Sequence, residues 1–123
     1  MTSPTHNPSD LHGLRVLVVE DSWEVSTGLK KLLEAWGASV IGPVPSAADA
    51  MRLISQSTPD AAIVDINLRG GELAYDLIDR LQERGIRIVV LTGYADIALE
   101  KGKATAVLQK PVQEELLIAR LRR

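Results

Sequence analysis

Ala61-Ala62-Ile63-Val64-Asp65-Ile66-Asn67 is the stretch whose reading decides the fold. Apolar residues, half of them β-branched, run straight into a carboxylate. Turn formers stand on both sides: Thr58-Pro59-Asp60 before, Arg69-Gly70-Gly71 after. A short apolar run bounded this way reads as a strand buried on both faces, the habit of a central strand in a parallel sheet. Asp65 then falls at the carboxyl end of that strand, the side on which open α/β sheets bind their ligands. An acid in this position also serves simply to start a turn or cap the next helix. Asp65 therefore carries chemistry only if other strands bring partners to the same edge.

The rest of the chain repeats the pattern. Arg15-Val-Leu-Val-Val-Glu20 is a first strand, apolar throughout and ending in Glu20-Asp21. Ser22 is placed to cap a helix with Val25, Leu29, Leu32, Leu33 and Trp36 on one stripe, stopped by Gly37. Trp23, beside the acid pair, either packs or shields that edge. Ser39 to Gly42 is a short second strand, and Ser46-Ala-Ala-Asp49 has capping-box spacing ahead of a helix carrying Ala50, Met51 and Ile54. After the central strand comes a helix with Leu73, Leu77, Ile78 and Leu81 on one face, closed by Gly85. Arg87 to Thr92 is a fourth strand. Residues 95–102 leave room for a stunted fourth helix, Ala104 to Gln109 form a fifth strand, and a last helix runs from Val112 to Leu121.

Strands alternating with helices imply parallel strands, right-handed crossovers and helices on both faces of the sheet. The 123 residues make one domain, with a flexible polar tail over 1–12 and the folded unit over 13–123. Composition narrows the function. Hydrophobic residues are 46% and aromatics 3%, so the core is aliphatic. A net charge of −2 gives no broad basic field for nucleic acid. No segment reaches the length of a membrane span or has the layout of a signal peptide, so a cytoplasmic protein with no membrane partner is expected. Cysteine is absent and both histidines, His6 and His12, lie in the tail, which disfavours thiol, Ser-His and His-metal catalysis.

Four strands end in chemically pointed residues: Glu20-Asp21, Asp65, Thr92 and Lys110. Carboxylates crowded together raise one another's pKa, and a divalent cation relieves that repulsion. Oxygen-only ligands point to magnesium, with manganese as the alternative. A metal, the Lys110 ammonium and the Thr92 hydroxyl around Asp65 suit a phosphoryl group, which a carboxylate nucleophile would take as an acyl phosphate.

These motifs resemble a family. Val18-Val19-Glu20-Asp21, Ile63-Val64-Asp65-Ile66-Asn67, Leu91-Thr92-Gly93 and Gln109-Lys110-Pro111 are similar to the motifs of response-regulator receiver domains of two-component signalling, over roughly residues 14–121. The resemblance implies a flavodoxin-like three-layer α/β sandwich with a five-stranded parallel sheet of order 2-1-3-4-5 and a shortened fourth helix. It implies Asp65 as phospho-acceptor, Glu20 and Asp21 as the acidic pair, with Asp21 the direct magnesium ligand, and the backbone carbonyl of Asn67 on the same ion. Thr92 and Lys110 would bind phosphoryl oxygens, and Lys110-Pro111 would be cis. The partner implied is a histidine kinase, and the output runs through contacts with a downstream protein.

Thr92-Gly93-Tyr94 further resembles a subgroup of short stand-alone receivers paired with HWE-type histidine kinases, although the Phe that precedes the Thr in that subgroup is absent here. Val107 stands where many receivers carry an aromatic that swings inward on activation, a movement that a Val cannot transmit; the resemblance makes Gly93, Tyr94, Val107 and Pro111 the switch positions, with Tyr94 as the moving residue. Two alternatives stay open. A magnesium-dependent phosphohydrolase of Toprim-like or haloacid-dehalogenase-like type needs a second acid where Asn67 stands. A scaffolding pseudo-receiver would never gain phosphate, against which the intact acids, Thr92 and Lys110 weigh.

Overall fold

A computed structural model of the chain describes residues 11–66, 68, 71–93 and 106–122, with the backbone alone for 71–73. In chain order the elements are β1 (Arg15–Val19), α1 (Trp23–Ala35), β2 (Ser39–Val44), α2 (Ala47–Gln56), β3 (Ala61–Asp65), α3 (Gly71–Glu83), β4 (Arg87–Thr92), β5 (Ala106–Gln109) and α4 (Glu114–Leu121). The strands form one sheet of order β2-β1-β3-β4-β5, and every neighbouring pair is parallel. This is the expected flavodoxin-like arrangement. The expected short helix at 95–102 lies outside the described residues, as do residues 1–10 of the expected tail.

The central strand explains the layering. Every residue of β3 is buried, and its side chains alternate between two apolar clusters. Ala62 and Val64 join Leu17, Val19, Ile88 and Val90 against Ala50 and Ile54 of α2 and Leu77, Ile78 and Leu81 of α3. Ala61 and Ile63 join Val16, Val18, Val89 and Leu91 against Leu29 and Leu33 of α1 and Leu117, Ile118 and Leu121 of α4. Period-2 strands thus feed both faces, which is why their sequences read as unbroken apolar runs rather than as alternation.

The local signals behave as physical chemistry requires. Ser22 Oγ accepts from the Val25 N–H and Ser46 Oγ from the Asp49 N–H, so both helices start on a side-chain cap. The Asp49 carboxylate pairs with Arg52. The last helix begins at Glu114, two residues later than its apolar pattern suggested, and keeps both acids in its first turn. Strand β2 runs past Gly42 to Val44 and holds a cis Gly42-Pro43 bond. It sits at the sheet edge, where a proline costs no ladder hydrogen bond that the fold needs. Gly42 is at φ +93°, and a Cβ there would lie 2.8 Å from the Val44 nitrogen.

Packing already includes residues 11 and 12. Leu11 is buried, its N–H donates to the Trp36 carbonyl, and the backbone of His12 lies against Gly37. Among the described residues no helix is long and apolar enough to cross a membrane.

Candidate phosphoryl-acceptor site

Register alone brings the expected residues together. Val19 pairs with Val64, so Glu20 emerges from β1 beside the end of β3. Asp65 is the last residue of β3, opposite Leu91 of β4, and Thr92 follows at the end of β4. Thr92 pairs with Gln109, which puts Lys110 one residue beyond the end of β5. Three backbone bonds hold these ends in place: the Glu20 N–H donates to Val44 O at 3.0 Å, the Ile66 N–H to Leu91 O at 2.9 Å and the Lys110 N–H to Thr92 O at 2.7 Å. The Lys110-Pro111 bond is cis, as expected.

From the far side of β4, the Lys110 side chain reaches back over the sheet edge. Its Nζ lies 3.2 Å from Asp65 Oδ2 and 3.2 Å from Glu20 Oε1. The two carboxylates are almost entirely buried, whereas the Lys110 side chain keeps 28% of its surface in solvent. Asp21 is exposed at the rim. One carboxylate oxygen from each of Glu20, Asp21 and Asp65 lies within 4.8 Å of the others. Thr92 is buried beside them.

The electrostatics follow from crowding. Burial first, then a hydrogen bond to Asp65 that only protonated Glu20 can donate, then the Asp65 charge, push the Glu20 carboxyl from its ordinary 4.5 to about 7. The Ser22 N–H, which donates to Glu20 Oε2 at 3.1 Å, and the Lys110 charge pull the other way without winning. Burial lowers the Lys110 pKa, but its hydrogen bond to Asp65 and the charges of Asp65 and Glu20 outweigh that and leave it above its ordinary value. Among the described residues Glu20 Oε1 is buried without a hydrogen-bond partner, with the Lys110 ammonium 3.2 Å away.

An orphaned buried oxygen beside two further carboxylates is the donor set a hard divalent cation takes, and its oxygen-only chemistry fits magnesium. Glu20, Asp21 and Asp65 are the residues that would hold it. The expected carbonyl of Asn67 and the Tyr94 side chain lie outside the described residues. Gly93 is exposed, Pro111 is exposed, and Val107 is 46% exposed on β5.

Two features escaped the sequence reading. Lys110 bridges both Glu20 and Asp65 rather than facing Asp65 alone. Trp23 does not pack: 78% of it is exposed. Its position as the first residue of α1, directly after the cap at Ser22, turns the indole away from the core.

The comparisons agree with this geometry. The sequence matches the response regulator receiver domain over residues 16–122. It is 35% identical over 85 residues to the DNA-binding transcriptional activator DevR/DosR of Mycobacterium tuberculosis, covering 66% of this chain and 38% of that protein. It is 33% identical over 116 residues to the sensory transduction protein LytT of Bacillus cereus, covering 89% of this chain and 46% of that protein. The chain thus spans less than half the length of these curated relatives. Among solved structures, a response regulator from Burkholderia pseudomallei with a phosphorylated aspartic acid, calcium ion and citrate superposes with a TM-score of 0.77 at 30% identity, over 89% of this chain and 66% of that one. The fold, the strand-end cluster and the family match agree: the chain belongs to the response regulator receiver domains of two-component signalling.

Proposed function

We propose that this receiver domain takes a phosphoryl group on Asp65 from a partner histidine kinase, in a magnesium-dependent reaction in the cytoplasm. Receiver domains are phosphorylated by histidine kinases, and their family is one of signalling regulators rather than metabolic enzymes. One observation carries the assignment to Asp65. It is a buried carboxylate at the end of the central strand, with an ammonium 3.2 Å away and two further acids beside it.

Asp65 attacks the phosphorus of a phosphohistidine through a carboxylate oxygen. An O–P bond forms as the N–P bond breaks, and the imidazole departs with that electron pair and takes up a proton. Lys110 pairs with a phosphoryl oxygen, and the Thr92 hydroxyl donates to another. A bound magnesium ion would offset the charge of the phosphoryl oxygens and of the three acids. Later attack by water at phosphorus returns Asp65 and inorganic phosphate.

Phosphorylation replaces the single charge of the Asp65 carboxylate with the roughly −1.5 to −2 of a phosphoryl group. Thr92 and Lys110 are drawn toward it, and Gly93 lets the following turn, with Tyr94, shift between pre-existing arrangements. The kinase is of HWE type on the strength of Thr92-Gly93-Tyr94, and the output is a protein contact. Amide spectra test this reading. Magnesium with beryllium fluoride, a phosphate mimic, should move the resonances of Thr92, Gly93, Lys110 and residues 94–103. Unmoved Thr92 and Lys110 signals would contradict the site, and unmoved 94–103 signals would contradict the switch.

A further inference from the structure

Between β5 and α4 the apolar core thins toward one end. Leu108 of β5 packs in one cluster with Leu117 of α4. Nearer the start of β5 the walls are Ala106 and Ala119, which offer only methyl groups. A cavity of about 450 Å³ opens there, lined by Arg87, Ala106, Val107, Leu108, Ala119 and Arg120. Arg87 is the first residue of β4 and stands two positions before Val89, the partner of Ala106, so strand alternation turns its side chain to the α4 face. Its Nη2 donates to the Arg120 carbonyl at 2.8 Å. The cavity therefore sits at the end of β4 opposite Thr92, away from Asp65.

Charge in the lining names the occupant. Both guanidinium groups belong to the wall itself, and no acidic side chain does. Among the described residues no carboxylate pairs with either arginine. The carboxyl end of α4 adds about half a unit of negative charge, which the Arg87 bond to its last turn answers. That bond uses one N–H of a guanidinium that carries several, and it pins the Arg87 fork at the cavity wall. A planar guanidinium matches a carboxylate or a phosphoryl group through paired N–H···O bonds. Pockets for small molecules run to roughly 300–1,000 Å³, so the volume admits an organic body as well as an anionic head. Val107, Leu108 and the two alanines give that body apolar contact. We propose that the cavity between β5 and α4 binds a small organic anion, a carboxylate or phosphomonoester whose head pairs with Arg87 and Arg120 and whose body lies against Ala106 and Ala119. The site lies outside the acceptor cluster and does not rest on the phosphoryl-transfer reading.

The test titrates the isotope-labelled full chain, with chelator present, against phenyl phosphate, benzoate, inorganic phosphate and benzyl alcohol. Phenyl phosphate or benzoate should shift the Ala106, Leu108 and Ala119 amides saturably, and the tighter of the two identifies the head group. Inorganic phosphate should bind more weakly, and benzyl alcohol should leave these amides in place. Arg120→Gln should weaken the apparent affinity roughly tenfold, the size of a lost charge-assisted hydrogen bond. Ala119→Leu fills the cavity without changing its charge and should abolish binding. Both positions are exposed on α4, so both variants should fold and take up phosphate from acetyl phosphate as the unaltered chain does. The proposal is overturned if benzyl alcohol shifts the same amides as far as the anions do, or if inorganic phosphate binds as tightly as phenyl phosphate. Undiminished affinity in either variant, shifts confined to Thr92 and Lys110, or no response to either organic anion would overturn it equally. Failure of acetyl phosphate to label the unaltered chain would count against the phospho-acceptor reading and leave the anion result standing.

Discussion

Lys110 Nζ lies 3.2 Å from Asp65 Oδ2 across 45 residues of chain, with the whole of β4 between the strands that carry them. Such a contact cannot form locally. It exists because the β3–β4 and β4–β5 registers place Asp65, Thr92 and Lys110 at one edge of the sheet. The same ammonium meets Glu20 at 3.2 Å, so a single cation answers two buried carboxylates.

Removing that cation should therefore hurt twice. Lys110→Gln removes the ammonium that faces both Asp65 and Glu20, and breaking a buried ion pair by removing one partner costs roughly 3–5 kcal/mol. Urea unfolding of metal-free protein should show a loss in that range, with magnesium restoring part of it. Phosphate uptake from acetyl phosphate should fall even when magnesium is saturating, because the phosphoryl oxygens lose a donor that the metal does not replace.

Glu20 sets a pH dependence with a definite sign. In metal-free protein its folded pKa of about 7 stands above the ordinary 4.5, so between these values the folded state holds a proton that the unfolded chain has released. Its contribution is fully present below 4.5 and is lost as pH rises through about 7. Thermal unfolding midpoints should decline across that window, and Glu20→Gln should flatten the decline. Magnesium should raise the midpoint more at about pH 8 than at about pH 5, since it binds the ionised form.

Two glycines should respond in opposite directions to alanine. Gly42 sits at φ +93°, and a Cβ there would meet Val44 N at 2.8 Å and Val18 O at 3.3 Å. Gly42→Ala should cost more than about 1 kcal/mol through strain. Gly28 lies exposed within α1 with nothing within 4 Å of a Cβ, so Gly28→Ala should stabilise by about 0.5–1 kcal/mol. Chemical denaturation of the two variants decides both.

Leu11 gives a fourth expectation. It is 1% exposed and packs in the cluster of α1 and α4, so Leu11→Ala should cost about 2–5 kcal/mol, as core truncations do. A change near zero would mean that the segment before β1 is ornamental.

Much of this arrangement was legible before any coordinates. The apolar runs at Val16–Val19, Ala61–Val64 and Ile88–Leu91 announce strands covered on both faces, and Ser22 and Ser46 announce helix starts, because those signals are local. The strand-end residues were also visible, since a carboxylate or a lysine after an apolar run stands out. What stayed hidden depends on packing between distant segments. Nothing in a polar stretch with two histidines shows that Leu11 meets the Trp36 carbonyl. Nothing in Trp23 itself shows that it faces solvent, because its direction depends on where Ser22 begins the helix. The continuation of β2 through Gly42-Pro43 runs against ordinary propensity and rests on edge position and positive φ. The double pairing of Lys110 needed the register.

The most direct test of the central claim is intact-protein mass spectrometry after incubation with acetyl phosphate, for the unaltered chain and Asp65→Asn, each with magnesium and with chelator. The account predicts one added phosphoryl group in the unaltered chain with magnesium and none in the other three samples. Equal phosphate uptake by Asp65→Asn, or no uptake by the unaltered chain with magnesium, would contradict it.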